Sequence, residues 1–284
     1  MSLGWPARSS SLAWANPLAW WWTFLAVVSV ANIAVWLSLY RYLQEPQTES
    51  LGNASGIKVM LFLSAAYVFG CAFRSFLPRA DVQRICLFDT WLSSVTVGRV
   101  VATVAEVCFV VQWAIILHRL GMMTGADTAL NMAWLIIPLI VIAECFSWHA
   151  VLTRNYLGHA IENSIWAVCF FMVGIGLGRL LPEFAGLGRM VLVVTIVGIA
   201  GYLVFLVTID VPMYVRRWQA EGADRSAPLS HLEGLWDASR RWVVTHDLAE
   251  WKDEIAWMSL YFSVAVWASL ALCVCYAFAG HLPR

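Results

Sequence analysis

The chain has 284 residues, of which 61% are hydrophobic and 13% are charged, and its mean hydropathy is +0.72. A soluble domain cannot bury so much apolar surface, so this composition excludes a water-soluble enzyme and predicts an integral membrane protein. The formal net charge of +0 excludes the strong basic field that attracts nucleic acid.

Apolar runs long enough to cross a bilayer recur along the chain, since about 20 helical residues span the hydrocarbon core. They lie at residues 20–43, 57–77, 92–118, 131–153, 156–181, 190–214 and 255–280. Backbone groups in hydrocarbon must bond within the protein, and runs of this length predict helices rather than barrel strands. We therefore expect an all-α integral membrane protein, a single domain over residues 1–284 built as a bundle of about seven transmembrane helices.

Lysine and arginine are more numerous on the side of the membrane that holds the N-terminus. Cytoplasmic loops carry such an excess, so the N-terminus is predicted to be cytoplasmic and the C-terminus outside. Asn53-Ala54-Ser55 in the first connection fits the glycosylation sequon and would lie on the outer side. Indole rings favour headgroup depth, so several of the 17 tryptophans are predicted to be interfacial anchors. These are Trp20, Trp21, Trp22, Trp91, Trp218, Trp251 and Trp257.

The long connection before the last span contains a helix start signal. Ser230 and Glu233 have the spacing of a capping box, and apolar residues follow at helical intervals. This pattern predicts an amphipathic interfacial helix at about 228–250. Its Trp and Leu face would lie in the headgroup region, and its charged residues would face water. The latter are Asp237, Arg240, Arg241 and Asp247. Such a helix could brace the membrane surface or cover a cytoplasmic opening.

Ionisable residues inside the spans are costly, so each is a candidate for a functional site. The third span carries Arg99 and Glu106, two turns apart on one face. The fourth span carries Glu144 and His149, whose spacing of five rotates them away from each other. In the fifth span His159, Glu162 and Asn163 follow at i, i+3 and i+4 and share one face, which makes them the sharpest local cluster.

Most of these polar residues belong to one half of the membrane. Alternate spans run in opposite directions, so the start of the third and fifth spans meets the end of the second, fourth and sixth. Arg74, Arg154 and Asp210 are thereby expected in the same layer as Arg99 and His159. The opposite half is uncharged in the stretches 132–143, 166–178, 191–208 and 262–278. A channel or carrier needs polar groups along its pathway or at the midplane. This asymmetry therefore favours a protein that is neither a channel nor a carrier.

The leading hypothesis is a membrane-embedded enzyme that acts on a lipid or isoprenoid. The tail would lie in the apolar half and the headgroup would meet the polar layer on the cytoplasmic side. The candidate catalytic residues are His149, His159, Glu162, Glu106 and Glu144. The candidate substrate-binding residues are Arg74, Arg99, Arg154 and Asn163.

Two kinds of chemistry fit this residue set. His159 and Glu162, together with His149, Glu144 or Glu106, could bind a divalent metal, since imidazole and carboxylate suit Zn, Fe or Mn. Alternatively a histidine could act as a general base oriented by Glu162, with arginines clamping a phosphate. The cofactor is therefore left open. Haem held between His149 and His159 is a further hypothesis.

Two other functions and a purely structural interpretation remain open at this point. Glu106, Glu144 and the histidines could form a proton relay in a proton-coupled transporter. The glycines between 174 and 178 permit close helix approach and would suit a non-catalytic assembly or scaffold subunit, with other membrane subunits as partners. Polar side chains in spans can also simply bond neighbouring helices, at about 0.6 kcal/mol per pair. Membrane lipids are expected partners in every case, and nucleic acid is not.

Overall fold

Seven helices are long and apolar enough to cross a membrane. The computed structural model describes residues 14–44, 54–221 and 229–281, so Asn53 of the sequon lies outside the described residues. The spans are Pro17–Leu43, Ala54–Phe76, Val95–Thr124, Asp127–Thr153, Tyr156–Glu183, Gly186–Ala220 and Leu248–Phe278. By length and composition this is a multi-pass helical membrane protein, as the apolar runs predict.

The first four spans are each one helix, and the last two are interrupted. We label the helices α1 to α10 in chain order. They are α1 Pro17–Leu43, α2 Ala54–Phe76, α3 Val95–Thr124, α4 Asp127–Thr153, α5 Tyr156–Leu180, α6 Gly186–Phe205, α7 Val211–Glu221, α8 His231–Arg240, α9 Leu248–Leu260 and α10 Val266–Phe278. A π-helical segment, Leu206–Asp210, joins α6 to α7 within the sixth span, and another, Tyr261–Ala265, joins α9 to α10 within the seventh.

Three two-residue strands form a small sheet outside the spans. They are β1 Arg79–Ala80, β2 Ile85–Cys86 and β3 Val243–Val244. β1 pairs antiparallel with β2, and β2 pairs parallel with β3, with Ile85 opposite Val243. This sheet ties the loop between α2 and α3 to the segment that follows α8.

The spans pack in chain order, and the seventh closes the bundle. α1 to α5 each contact the next helix, and α10 packs against α1, α2 and α3. α6 packs against α5 on the outside of the bundle. The centre is apolar: Leu117, Ile136, Ile140 and Leu177 are almost wholly buried. The outer faces are apolar too, with Phe62 72% exposed, as expected where side chains meet lipid.

Hydrogen bonds between polar side chains and neighbouring helices fasten the seventh span. Asn32 Nδ2 donates to the carbonyl of Phe262, 2.9 Å away in the second π-helical segment. Ser269 Oγ and Gln112 Oε1 lie 2.6 Å apart, and Gln112 Nε2 also reaches the carbonyl of Met60 at 3.3 Å. Each such bond contributes only about 0.6 kcal/mol in a membrane, because the same polar groups also find partners in the unfolded chain.

The helix predicted at 228–250 is shorter than expected. The capping box of Ser230 and Glu233 is present, but α8 ends at Arg240 and an extended segment separates it from α9. Leu232 is 80% exposed and suits the headgroup region. Asp237, however, is buried and does not face water, because its Oδ2 accepts a hydrogen bond from Arg84 Nε at 3.0 Å.

α8 is held against the ends of α3 and α4. Gly234 contacts the backbone of Leu152 so closely that a Cβ atom would lie 2.0 Å from its carbonyl oxygen. Arg84 adds a second attachment, since its Nη2 donates to the carbonyl of Val151 at 2.8 Å. α8 is therefore packed firmly against the ends of α3 and α4.

The tryptophans predicted as interfacial anchors divide into two groups. Trp20 and Trp91 are 65% and 71% exposed and fit the anchor role. Trp251 is fully buried, packs against Trp21 in a tilted arrangement with ring centroids 5.7 Å apart, and donates from Nε1 to the carbonyl of Thr245 at 3.0 Å. Trp251 therefore belongs to the core, and the anchor interpretation is wrong for it.

Candidate active site in the charged half of the bundle

A cavity of about 590 Å³ lies between α3, α5 and the two interrupted spans. Its volume falls within the range of small-molecule ligand pockets. One end is lined by charged side chains, including Arg99 and Glu162, and the other by apolar ones, including Leu120 and Leu177. Along α5 the lining runs from Tyr156 to Leu177, a rise of about 30 Å. The cavity thus extends over most of the hydrocarbon thickness.

The charged half of the bundle is the half that contains the end of α2 and the start of α3 and α5. Among the described residues, every buried charged side chain lies in this half or at mid-depth. The asymmetry expected from the sequence is therefore present in three dimensions.

His159 and Glu162 form a short contact in the site. α5 starts after Asn155, whose side chain accepts a hydrogen bond from the backbone N–H of Leu157. One turn later His159 Nδ1 lies 2.6 Å from Glu162 Oε2, and both residues are buried and line the cavity. A carboxylate held on Nδ1 orients the imidazole and leaves Nε2 for other partners. Asn163, on the same face, also lines the cavity.

Arg99 joins two acidic residues from different spans. Its Nη2 lies 3.2 Å from Glu106 Oε2 and 3.4 Å from Glu144 Oε2. Thr103 Oγ1 also donates to Glu144 Oε2, at 2.6 Å, and Trp148 Nε1 donates to Thr103 at 3.0 Å. The spacing of seven predicted that Arg99 and Glu106 share a face, and the structure brings Glu144 of α4 to the same point.

Three guanidinium groups surround Asp81, in the loop between α2 and α3. Nitrogen atoms of Arg79, Arg74 and Arg99 lie 3.5, 3.9 and 4.0 Å from its carboxylate. Burial alone would raise the pKa of Asp81, but these guanidinium groups outweigh burial and hold that pKa below its usual value. Each arginine lines the cavity, so the cluster can meet a polar group placed at this end.

Arg79 reaches the cluster across a glycine of α3. Its Nη1 donates to the carbonyls of Leu92 and Ser94, both at 3.1 Å. A Cβ atom on Gly98 would overlap the guanidinium at 1.5 Å, so the crossing needs a glycine there. Burial lowers the pKa of Arg79 to about 10, although the neighbouring Asp81 opposes the shift. Arg79 therefore remains charged at neutral pH.

The two interrupted spans contribute a further group of charges. Asp210 closes the first π-helical segment and is buried against the cavity. Arg217 Nη1 donates to Glu254 Oε1 at 3.0 Å, and Gln83 Nε2 donates to the same atom at 3.0 Å. Trp257 Nε1 donates to the other oxygen of Glu254 at 2.6 Å. Both carboxylate oxygens of Glu254 thus accept hydrogen bonds, whereas Asp210 has no hydrogen bond to a described side chain.

Aromatic rings line the cavity next to the acidic groups. Tyr67 and Phe109 stack with centroids 4.5 Å apart, and Phe170 and Tyr202 meet edge to face at 5.1 Å. Tyr261, in the second π-helical segment, lies 5.9 Å from Tyr67. Ring faces provide apolar contact area and attract positive charge.

The structure separates the predicted site residues into three groups. Arg74, Arg99, Glu106, His159, Glu162 and Asn163 line the cavity. Glu144 lies directly behind Arg99. His149 and Arg154 lie elsewhere: His149 Nδ1 is 3.0 Å from His231 Nε2 on α8, and Arg154 is an exposed residue in the left-handed conformation, at φ 54°, that ends α4.

The predicted metal ligands His159, Glu162 and His149 are not brought together, because His149 faces α8. His149 lies against His231 of α8 and does not line the cavity that His159 lines, so this geometry gives no support to a haem held between His149 and His159. Glu106, Glu144 and Glu162 do each offer one oxygen, all within 4.8 Å of one another. Arg99 lies within hydrogen-bonding distance of two of them and supplies their positive charge. The chemistry of this donor set therefore fits an internal ion-pair cluster better than a metal centre.

Several site residues were missed by sequence reasoning. Asp81 and Arg79 lie in a loop, and Arg217 and Glu254 flank a connection, so none of them stood out as a charge within a span. Asp210 was expected in the polar layer but was not singled out. The signal that could have found Asp81 is its position between two arginines, Arg79 and Arg84, directly after a span.

Carboxyl groups outnumber guanidinium groups around the charged end. The four arginines are Arg74, Arg79, Arg99 and Arg217, and the six acidic residues are Asp81, Glu106, Glu144, Glu162, Asp210 and Glu254. Buried charges without a counter-charge are costly; protonated His159 beside Glu162 would supply a fifth positive charge, and the one carboxyl group left over favours a bound proton. A carboxyl group that holds a proton beside a cavity can act as a general acid.

Comparison with known protein families, with characterised proteins and with solved structures gives no significant match. Function must therefore be argued from the site itself.

Proposed function

We propose that this protein is a membrane-embedded enzyme that acts by general acid–base catalysis on a lipid or isoprenoid substrate. The observation that carries the proposal is one continuous cavity, charged at one end and apolar along the rest of its length. An amphiphile with a long apolar chain matches this division, because its chain needs no hydrogen bonds and its polar group does.

The residues have distinct roles in this proposal. His159, oriented by Glu162, accepts a proton from the substrate or returns one to it. Asp210 and Glu106 line the cavity as further carboxyl groups that can donate a proton. Arg74 and Arg99 hold the polar group of the substrate through charge-assisted hydrogen bonds. Glu144 acts as a positioning residue, because it touches Arg99 and not the cavity.

The aromatic lining favours an isoprenoid chain within this class. Tyr67, Phe109, Phe170 and Tyr202 surround the part of the cavity next to the acids. Their faces suit carbon–carbon double bonds, and also any positive charge that develops when such a bond or its neighbour is protonated.

A proton-coupled transporter is less well supported. The lining residues at the far end of the cavity include Leu120, Leu177, Phe184 and Leu192, none of which can carry a proton or bind an ion. The scaffold hypothesis loses part of its basis as well, because Gly176 lies against Leu117 and serves packing inside the bundle.

The cytoplasmic orientation of the charged half belongs to this proposal and rests on the excess of lysine and arginine on that side. This orientation is tested with a variant in which the native cysteines are replaced. A single new cysteine is then placed on the exposed face of α8. A membrane-impermeant maleimide should label this cysteine in broken cells and not in intact ones. Labelling of intact cells would reverse the orientation.

The function is tested directly with purified protein in lipid nanodiscs. Wild-type protein and Glu162→Gln are incubated with a panel of long-chain prenyl and acyl alcohols, acids, epoxides and phosphates, and products are followed by mass spectrometry. The wild type should convert at least one compound class, and Glu162→Gln should not. Equal conversion by both, or no conversion of any class, contradicts the proposal.

A further inference from the structure

The cavity is open sideways, toward the bilayer, between the sixth and seventh spans. Gly198 and Gly201 of α6 line it and are exposed, and a Cβ atom at either position would meet no atom within 4 Å. On the facing wall Leu260 and Val264 also line it and are 49% and 63% exposed. Exposed lining residues on both spans are expected where a cavity opens to the outside.

The packing of the two spans explains the opening. α6 packs against α5, and α10 packs against α1, α2 and α3, so the two walls are held by different neighbours. Small residues line the cavity on both spans: Gly198 and Gly201 on α6, and Ala268 and Ala271 on α10. All these residues lie in the stretches 191–206 and 260–275, neither of which contains a charged residue. Hydrocarbon chains, and not water, suit such walls.

Both walls carry a π-helical segment, Leu206–Asp210 in the sixth span and Tyr261–Ala265 in the seventh. Single π-helical turns are frequent at functional sites, because they change which side chains face inward. Here they turn Asp210 and Tyr261 toward the cavity, at the point where the opening meets its charged end.

We propose that this opening is the entrance through which a single-chain prenyl amphiphile, dissolved in the bilayer, reaches the site. The inference rests on the proposed function and adds the route and the source of the substrate. The molecule moves in sideways, its chain lies against Gly198 and Gly201, and its polar group meets His159 and the arginines. Because the side of this long, narrow cavity is open to lipid, the apolar chain can enter without passing through water.

The entrance is tested by filling it. Gly198→Trp and Gly201→Trp add an indole at positions where a Cβ atom would meet no atom within 4 Å. Ala200→Trp is the matched control, because Ala200 is exposed on the same helix turn but does not line the cavity. Ala271→Trp narrows the entrance from the opposite wall and serves if a glycine variant fails to fold.

The probe is geranylgeraniol bearing a diazirine, dissolved in phosphatidylcholine vesicles that contain the protein. After illumination, labelled peptides are mapped over time by mass spectrometry. Wild-type protein and Ala200→Trp should label cavity-lining peptides of α3 and α5 at the same rate. The entrance variants should label them several-fold more slowly, while labelling of the outer faces stays equal. Labelling of the cavity at the wild-type rate in the entrance variants overturns the proposal.

The two proposals fail in different ways. If the probe enters the wild-type cavity but no compound is converted, the enzyme function is wrong and the entrance stands. If conversion is lost in Glu162→Gln but is unchanged in Gly198→Trp, Gly201→Trp and Ala271→Trp, the enzyme function stands and the entrance is wrong.

Discussion

His159 and Glu162 lie one turn apart on α5, with Nδ1 and Oε2 separated by 2.6 Å inside the charged end of the cavity. A buried carboxylate that fixes an imidazole in this way is the usual arrangement of a general base and its orienting group. The pair is therefore the first place to test the chemistry.

Substitution Glu162→Gln keeps the shape of the side chain and removes its charge. We expect conversion to fall by about a hundredfold or more, because general acid–base groups contribute factors of this size. Glu183→Gln is the control, since Glu183 is exposed on the far side of the bundle. Thermal unfolding should be close to wild type for the control. Full activity in Glu162→Gln would remove the pair from the mechanism.

Arg84 and Asp237 fasten α8 to the loop after α2, and both are buried. Arg84→Met keeps much of the volume but leaves Asp237 as a buried charge without its main partner. The free energy of unfolding should fall by roughly 3 kcal/mol, measured by SDS titration in mixed micelles. Arg241→Ala is the matched control, because Arg241 lies 3.6 Å from the same carboxylate with a side chain 74% exposed. Such exposed pairs contribute little to the free energy of unfolding. A large loss of stability in Arg241→Ala would contradict the assignment of Arg84 as the main partner of Asp237.

Asp81 should give a pH-dependent part of the stability. Its pKa is lower in the folded protein than in the unfolded chain, because the guanidinium groups around it overcome the effect of burial. Its contribution is therefore fully present above the unfolded value of about 4, and it is lost as pH falls through the folded pKa. Asp81→Asn should lower the unfolding temperature by a constant amount between about pH 6 and 8. That difference should shrink below about pH 4, and a difference that grows in acid would contradict the ion-pair assignment.

Gly234 allows α8 to lie directly on the backbone of α4. A methyl group there would press on the carbonyl of Leu152, which cannot move without the helix end. Gly234→Ala should therefore destabilise the protein even though alanine is the better helix former by about 1 kcal/mol. Gly178→Ala is the control, since nothing lies within 4 Å of a Cβ at that position, and it should be neutral or stabilising. Equal unfolding temperatures for the two variants would show that α8 does not pack as described.

Much of the architecture follows from local sequence signals. Runs of apolar residues define the seven spans, because the bilayer imposes length and hydropathy on each helix separately. The capping box of Ser230 and Glu233 and the shared face of His159 and Glu162 depend only on helical periodicity, and both are present. The concentration of charge in one half of the bundle also follows, because antiparallel spans place alternate ends together.

Tertiary structure decided which of these charges meet. It brought Glu144 to Arg99, inserted Arg79 and Asp81 from a loop, buried Asp237 under α8 and turned His149 away from the cavity. Each of these contacts joins residues whose separation depends on how whole helices rotate and pack, which no local period specifies. The opening between the sixth and seventh spans has the same origin. The sequence by itself determined two apolar helices with small residues. The gap between them arises only in the tertiary structure, because the two helices pack against different neighbours.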